Sequence, residues 1–261
     1  MLDAAPVALP PGGARQAKAF AVALAQAGPR PAAGARERRA HELIATRFAA
    51  AGLDVRRVRF TVPGRGRSRD VIGVWKPGRG CVRVVMAHAD TVPPSPGADD
   101  NGSGVGLLAA LAPRLDAIRS SCTVWLVATG AEERIYTGSP DHLGSRALVK
   151  VVPRKRLRYA LSLDEVGRGS RFVLRSPVGA VRRGVEGELL RAARREHVAL
   201  GWARDDGTGN SDHREFELTG LPGVKLGVPD EPVRHTALDT PDRLQRAAFG
   251  RVLRVVARAL R

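Results

Sequence analysis

Aromatic residues make up only 4% of this 261-residue chain, and lysine is scarcer than its charge suggests: Lys18, Lys76, Lys150, Lys155 and Lys225 are five of 43 basic residues. The net charge of +17 raises nucleic acid or another acidic partner as a possibility. The arginines, however, are scattered along the whole length, with no helix-turn-helix or RNA-binding signature and few aromatics to stack on bases. That pattern argues against nucleic acid. No run approaches the roughly 20 apolar residues of a membrane helix, so no membrane span is expected. The opening MLDAAPVALPPGG has no basic n-region; no signal peptide is read there, and the cytoplasm is favoured. Cys81 and Cys122 are the only cysteines, each just before an apolar strand candidate. Two buried free thiols are the expectation, although neighbouring strands would bring them together.

At 43% hydrophobic and 26% charged residues, the chain can bury a sizeable core. It has no repeats and no linker, so residues 1–261 read as one domain, with 1–30, rich in Ala, Pro and Gly, as a loosely ordered extension in which Ala14 to Ala27 can form a helix. Arg36 to Ala51 reads as a helix burying Leu43, Ile44 and Phe48, stopped by Gly52. Strands are expected at Val58–Val62, Val71–Trp75, Val82–His88, Thr123–Thr129, Leu161–Leu163, Phe172–Leu174 and Leu221–Val228, with a basic turn at Pro63–Arg69. Further helices are expected at Val181–His197 and from Thr240-Pro241-Asp242 to the C-terminus. Helices alternating with buried strands define an α/β class with a mixed, largely parallel sheet.

Open α/β sheets place their sites at the carboxyl ends of strands. His88-Ala89-Asp90 ends one strand, and Asp99-Asp100-Asn101-Gly102 opens the following helix. Thr123–Thr129 runs into Gly130-Ala131-Glu132-Glu133, and Leu161–Leu163 into Asp164-Glu165. His235 follows the last strand. Each of these alone has a plain explanation as a solvated strand end or a helix cap. Together they form a mixed nitrogen and oxygen donor set suited to Zn²⁺.

The pieces His88-Ala89-Asp90, Gly97-Ala98-Asp99-Asp100-Asn101-Gly102-Ser103-Gly104, Gly130-Ala131-Glu132-Glu133, Leu163-Asp164, Ser211-Asp212-His213 with Phe216, and His235-Thr236 with Asp239 resemble the co-catalytic zinc aminopeptidases, relatives of glutaminyl cyclases. The resemblance spans residues 36–261, without an inserted protease-associated domain. It implies a three-layer αβα zinc-exopeptidase fold and a peptide substrate with a free N-terminus. It also implies two Zn²⁺ bridged by Asp100 and a water or hydroxide, though other divalent ions can take their place. His88 and Asp164 would complete one metal site, Glu133 and His235 the other, with Glu132 as general base. Asp90 would orient His88, with Asp212 and Asp239 in supporting positions, Asp99 as a structural neighbour, and a cis Asp100–Asn101 peptide. Many relatives are secreted, which keeps that compartment open.

Many relatives also carry Tyr immediately before the last His, where this chain has Arg234. Three uses of it stay open: oxyanion donor, binder of a substrate carboxylate as in a dipeptidase or carboxypeptidase, or a solvent-facing residue. A single-zinc glutaminyl-type cyclase and a non-catalytic basic binding protein are the rival readings. His213 is expected to pack or hydrogen-bond near the rim, and His41, His142 and His197 to lie on the surface.

Overall fold

Among the described residues, 9–76, 80–137, 141–205 and 210–261 of a computed structural model, eight strands form one sheet. The strands are β1 (Asp54–Val62), β2 (Gly66–Trp75), β3 (Val82–His88), β4 (Thr123–Thr129), β5 (Leu157–Leu163), β6 (Arg171–Ser176), β7 (Ala199–Arg204) and β8 (Gly223–Gly227). Their order is β1-β2-β4-β3-β5-β8-β6-β7. The centre, β4-β3-β5-β8, is parallel throughout, and β1, β2 and β6 pair antiparallel to their inner neighbours. β7 returns parallel to β6.

The central strands are apolar on both faces because both are covered. On β4, Val124, Leu126 and Ala128 join one core, while Trp125 and Val127 join the other. The first core is roofed by α1 (Gly13–Gln26), α2 (Ala35–Ala50), α3 (Gly104–Leu111), α7 (Glu186–Arg195) and α9 (Arg246–Leu260). The second lies under α6 (Leu143–Val151) and α8 (His213–Leu218). The result is the three-layer αβα arrangement, with single-turn helices α4 (Leu115–Ile118) and α5 (Arg134–Thr137) in connections. No helix of the described residues is long and apolar enough to cross a membrane.

Several boundaries differ from the sequence reading. Ala17, Ala21 and Leu24 of α1 are buried in the main core, so residues 13–26 are an integral helix and not a loose extension. On α2 the buried face is Glu37, Ala40, His41, Ile44, Ala45 and Phe48, and Leu43 is 47% exposed. The face is rotated because Glu37 has buried partners to reach. β2 begins at Gly66, inside the stretch read as a basic turn. The helix expected from Val181 to His197 covers only Glu186–Arg195. The C-terminal helix begins at Arg246, because Leu244 and Gln245 are extended after a 3₁₀ turn at Pro241–Arg243.

The two cysteines are paired: Cys81–Cys122 form a disulfide with Cα atoms 4.7 Å apart. The cause is register. β3 and β4 are parallel neighbours with Val82 opposite Thr123, which sets the two preceding residues side by side. The expectation of free thiols is therefore overturned.

Candidate metal centre

The carboxyl ends of β3, β4 and β5 converge, as parallel topology requires, and deliver His88, Glu132-Glu133 and Asp164 to one place. The Ala98–Ser103 turn carries Asp100 in from the front of α3. There Asp100 and Asn101 leave helical dihedrals and are joined by a cis peptide, as the resemblance implies. Glycines permit the approach. A Cβ on Gly104 would lie 2.4 Å from both the Asn101 Oδ1 and the Leu163 carbonyl oxygen, and Gly97 adopts φ 63° against Thr91. Asn101 Nδ2 donates to the Leu163 carbonyl and its Oδ1 accepts from Gly104 N–H, tying this turn to the end of β5.

Asp100 turns one oxygen to each imidazole. Its Oδ1 lies 3.2 Å from His88 Nε2, and its Oδ2 lies 3.2 Å from His235 Nε2. His88 Nε2 also lies 3.5 Å from Asp164 Oδ1 and 4.0 Å from Glu132 Oε2. His235 Nε2 lies 3.0 Å from Glu133 Oε2. Two groups capable of holding an ion therefore share Asp100: His88, Asp100, Asp164 and Asp100, Glu133, His235. The donor set fits a metal on a separate ground as well. Glu133 Oε1 and Asp164 Oδ1 are buried with no hydrogen-bond partner, which is costly unless something cationic meets them. A cavity of about 210 Å³ opens over these residues, also bordered by Arg134, Asn210 and Arg234.

The electrostatics of these side chains point the same way. Burial works against a charged His88, but the Glu132, Asp100 and Asp164 carboxylates outweigh it and hold the imidazole well above its ordinary pKa. Hydrogen bonds to Asp100 and Glu133 push His235 up to about 10. Burial, then the Asp100 charge, raises Glu133 to about 8. Protons thus sit among the donors that an ion must displace. Metal binding is expected to release protons and to tighten as pH rises, because imidazole binds metal only when deprotonated. Calorimetric titrations in two buffers of different ionisation enthalpy check this. Equal heats would show no proton release.

The supporting residues act through backbone groups. His88 Nδ1 lies 3.2 Å from the Asp90 carbonyl oxygen and 3.8 Å from Asp90 Oδ1. The Asp90 carboxylate also accepts Glu132 N–H at 3.1 Å and Glu133 N–H at 3.2 Å, fixing the glutamate pair. Asp239 accepts the N–H groups of Asp99 and Asp100 at 2.8 and 3.0 Å. Asp99 accepts Gly167 N–H and faces Arg168, a structural place. Asp212 accepts the Thr129 hydroxyl at 2.6 Å, beneath the end of β4. Arg234, with its side chain 40% exposed, lies 3.6 Å from Glu165 Oε1 at the cavity edge.

Some contributors had no place in the sequence reading. Arg30 is fully buried and donates to the carbonyls of Ala89, Leu24, Pro96 and Gly97, clamping the loop between His88 and Asp99. Lys225 on β8 is buried and donates to Glu165 Oε2; its Nζ lies 3.0 Å from Asp164 Oδ2. Burial opposes the Asp164 charge, but Lys225 and His88 hold its carboxyl well below its ordinary pKa. A lone lysine inside the apolar strand Gly223–Gly227 was the available signal, since a buried charge needs a partner. His41 is fully buried, with Nε2 3.3 Å from the Thr129 carbonyl oxygen, and His142 is buried at the cavity wall. Both are corrections to a surface assignment. His213 is buried with Nε2 2.8 Å from Asp205 Oδ2, while His197 is exposed.

Comparison with known proteins agrees with this architecture. The chain is 31% identical over 199 residues to aminopeptidase YwaD of Bacillus subtilis (strain 168), covering 69% of this chain. It spans 42% of the length of that relative. Among solved structures, BSAP, a zinc aminopeptidase from Bacillus subtilis, superposes with a TM-score of 0.82 at 19% identity, covering 94% of this chain and 93% of that one. A glutaminyl cyclase from Bacteroides thetaiotaomicron superposes with a TM-score of 0.82 at 20% identity, covering 97% and 99%. At such identities these structures share the fold. The profile of peptidase family M28 matches residues 70–260, a span that holds every donor described above. By that match and the YwaD likeness, the chain belongs to peptidase family M28.

Proposed function

We propose that this protein is a zinc-dependent aminopeptidase that holds two ions and removes N-terminal residues from peptides. The observation that carries the reading is Asp100 with one oxygen on each imidazole, between the group of His88 and Asp164 and that of Glu133 and His235. His88 and Asp164 would hold one ion, Glu133 and His235 the other. When bound, the ions supply Lewis acidity and lower the pKa of water toward neutrality.

The chain's own groups supply the rest. Glu132 takes a proton from the attacking water as oxygen bonds to the scissile carbonyl carbon, and it returns that proton to the leaving amine as the C–N bond breaks. Arg234, at the cavity edge, donates toward the developing oxyanion, the place of the tyrosine in many relatives. The carboxylates of Glu132, Glu133 and Asp164 line the cavity and attract a free ammonium group, which favours substrates with an unblocked N-terminus.

The test is a peptide panel with free and acetylated N-termini, one member beginning with Gln, run alongside metal analysis of the purified protein. Cleavage confined to free amines, with two equivalents of zinc, is the expected result. Cyclisation of the Gln peptide with one equivalent would identify a cyclase, and trimming of acetylated peptides from the carboxyl end would identify a carboxypeptidase. Either outcome overturns the proposal.

A further inference from the structure

His142 lies outside both donor groups, yet it borders the same cavity and is buried. Its Nε2 lies 3.4 Å from Glu132 Oε1, and its Nδ1 lies 3.4 Å from Glu215 Oε1. The backbone is equally committed. His142 N–H donates to the Glu132 carbonyl, Leu143 N–H to Ala131 and Gly144 N–H to Gly130, so the two segments are zipped together. Gly144 is required for that approach, because a Cβ there would lie 2.4 Å from the Gly130 carbonyl oxygen. His142 itself takes φ 52°, a left-handed conformation that histidine tolerates better than most residues.

Asp141, His142 and Glu215 are close enough to suggest a further metal site. That assignment fails on Asp141. Its Oδ2 accepts from Arg134 Nε at 2.9 Å and its Oδ1 from an Arg214 guanidinium nitrogen at 2.9 Å. With two arginines on its carboxylate, the cluster already holds its cations. What remains is a line of carboxylate, imidazole and carboxylate running from α8 to the glutamate pair.

Building on the reading of Glu132 as proton acceptor, we infer that His142, anchored by Glu215, is a positioning residue that engages Glu132 Oε1 and leaves Oε2 as the oxygen that faces the reacting water. The free oxygen is the one on the His88 side, where Oε2 lies 4.0 Å from Nε2. Burial works against a charged His142, but Glu132 and Glu215 outweigh it and push the imidazole up to about 10, so both ring nitrogens serve as donors at neutral pH. A glutamate held at one oxygen cannot rotate between acceptor positions, and general-base catalysis depends on that placement.

The experiment compares the metal-loaded wild type with H142A, H142Q and E215Q on a free-amine dipeptide anilide. It measures kcat, KM, bound zinc and melting temperature. H142A is expected to lower kcat by about 10-fold to 100-fold, the scale of supporting-residue effects, with KM and zinc content within about two-fold of wild type. H142Q, whose amide N–H reaches the same oxygen, recovers most of the lost kcat, and E215Q lowers kcat in the same sense by less. An unchanged kcat in H142A, or a fall that follows zinc content or melting temperature and is not recovered by H142Q, overturns the inference and leaves the aminopeptidase reading intact. A wild type that hydrolyses nothing overturns both.

Discussion

Replacing Glu132 by Gln is expected to lower kcat by about 10²–10⁴-fold, the share of a barrier that a positioned general base removes. The substitution is nearly isosteric and keeps the backbone in place. Glu132 N–H still donates to Asp90 Oδ1, and the Glu132 carbonyl still accepts from His142. The amide oxygen can still accept from His142 Nε2. What is lost is the capacity to take a proton, together with the charge that faces His142. KM and bound zinc are expected to stay near wild type, because the proposed assignment leaves both ions to Asp100 with His88, Asp164, Glu133 and His235, and Glu132, although close to His88 and Glu133, holds neither. E133Q is the contrast. Glu133 faces His235 at 3.0 Å, so its loss should lower zinc content as well as rate. Steady-state kinetics paired with metal analysis of both variants separates the two roles. Parallel zinc loss in E132Q would make Glu132 a ligand and would overturn the assignment.

That two adjacent glutamates face different partners follows from a strand end, where successive side chains diverge, and this is legible without coordinates. So are β3 and β4, apolar enough to be read as strands buried on both faces, the buried end of β5, and the placing of His88, Glu132-Glu133 and Asp164 at or just beyond the ends of these three strands. Asp99 and Asp100 are both legible in their glycine-rich context; that Asp100 is the one facing the two imidazoles is implied only by the resemblance. Groups whose role depends on tertiary burial are not legible. His41 reads as a surface residue from its helical context, and α2 as a helix burying Leu43, Ile44 and Phe48. The true face is defined by Glu37, which accepts Ala33 N–H, Ala131 N–H and the Ser68 hydroxyl. No periodicity count anticipates a helix that rotates to bury a glutamate. β7 was missed because Ala199–Arg204 is an edge strand, half exposed and without strict alternation. His142 offered no local signal at all, since its importance lies in Glu215, 73 residues away.

Breaking the Cys81–Cys122 bridge, by reduction or by C81S with C122S, is expected to cost about 4 kcal/mol of stability from the loop-closure entropy of a separation this long, a fall in melting temperature on the order of 10 °C. The two cysteines are 41 residues apart in sequence, and the loop they close contains β3, the Asp100 turn and α3, which is much of the site's scaffold. Yet the bridge lies at the amino ends of β3 and β4, while His88 and Glu132 lie at or beyond the carboxyl ends, roughly 20 Å away for strands of this length. Stability and catalysis should therefore separate. The reduced protein is expected to melt lower but to retain its kcat and zinc content at temperatures where it stays folded. Thermal melts with and without a phosphine reductant, beside rate measurements at 20 °C below the lower midpoint, check both halves. An unchanged melting temperature would mean the thiols are not bridged in solution, restoring the free-thiol expectation. The expected loss would instead favour an oxidising compartment, where a bridge closing so large a loop persists, over the cytoplasm that the amino-acid sequence suggested.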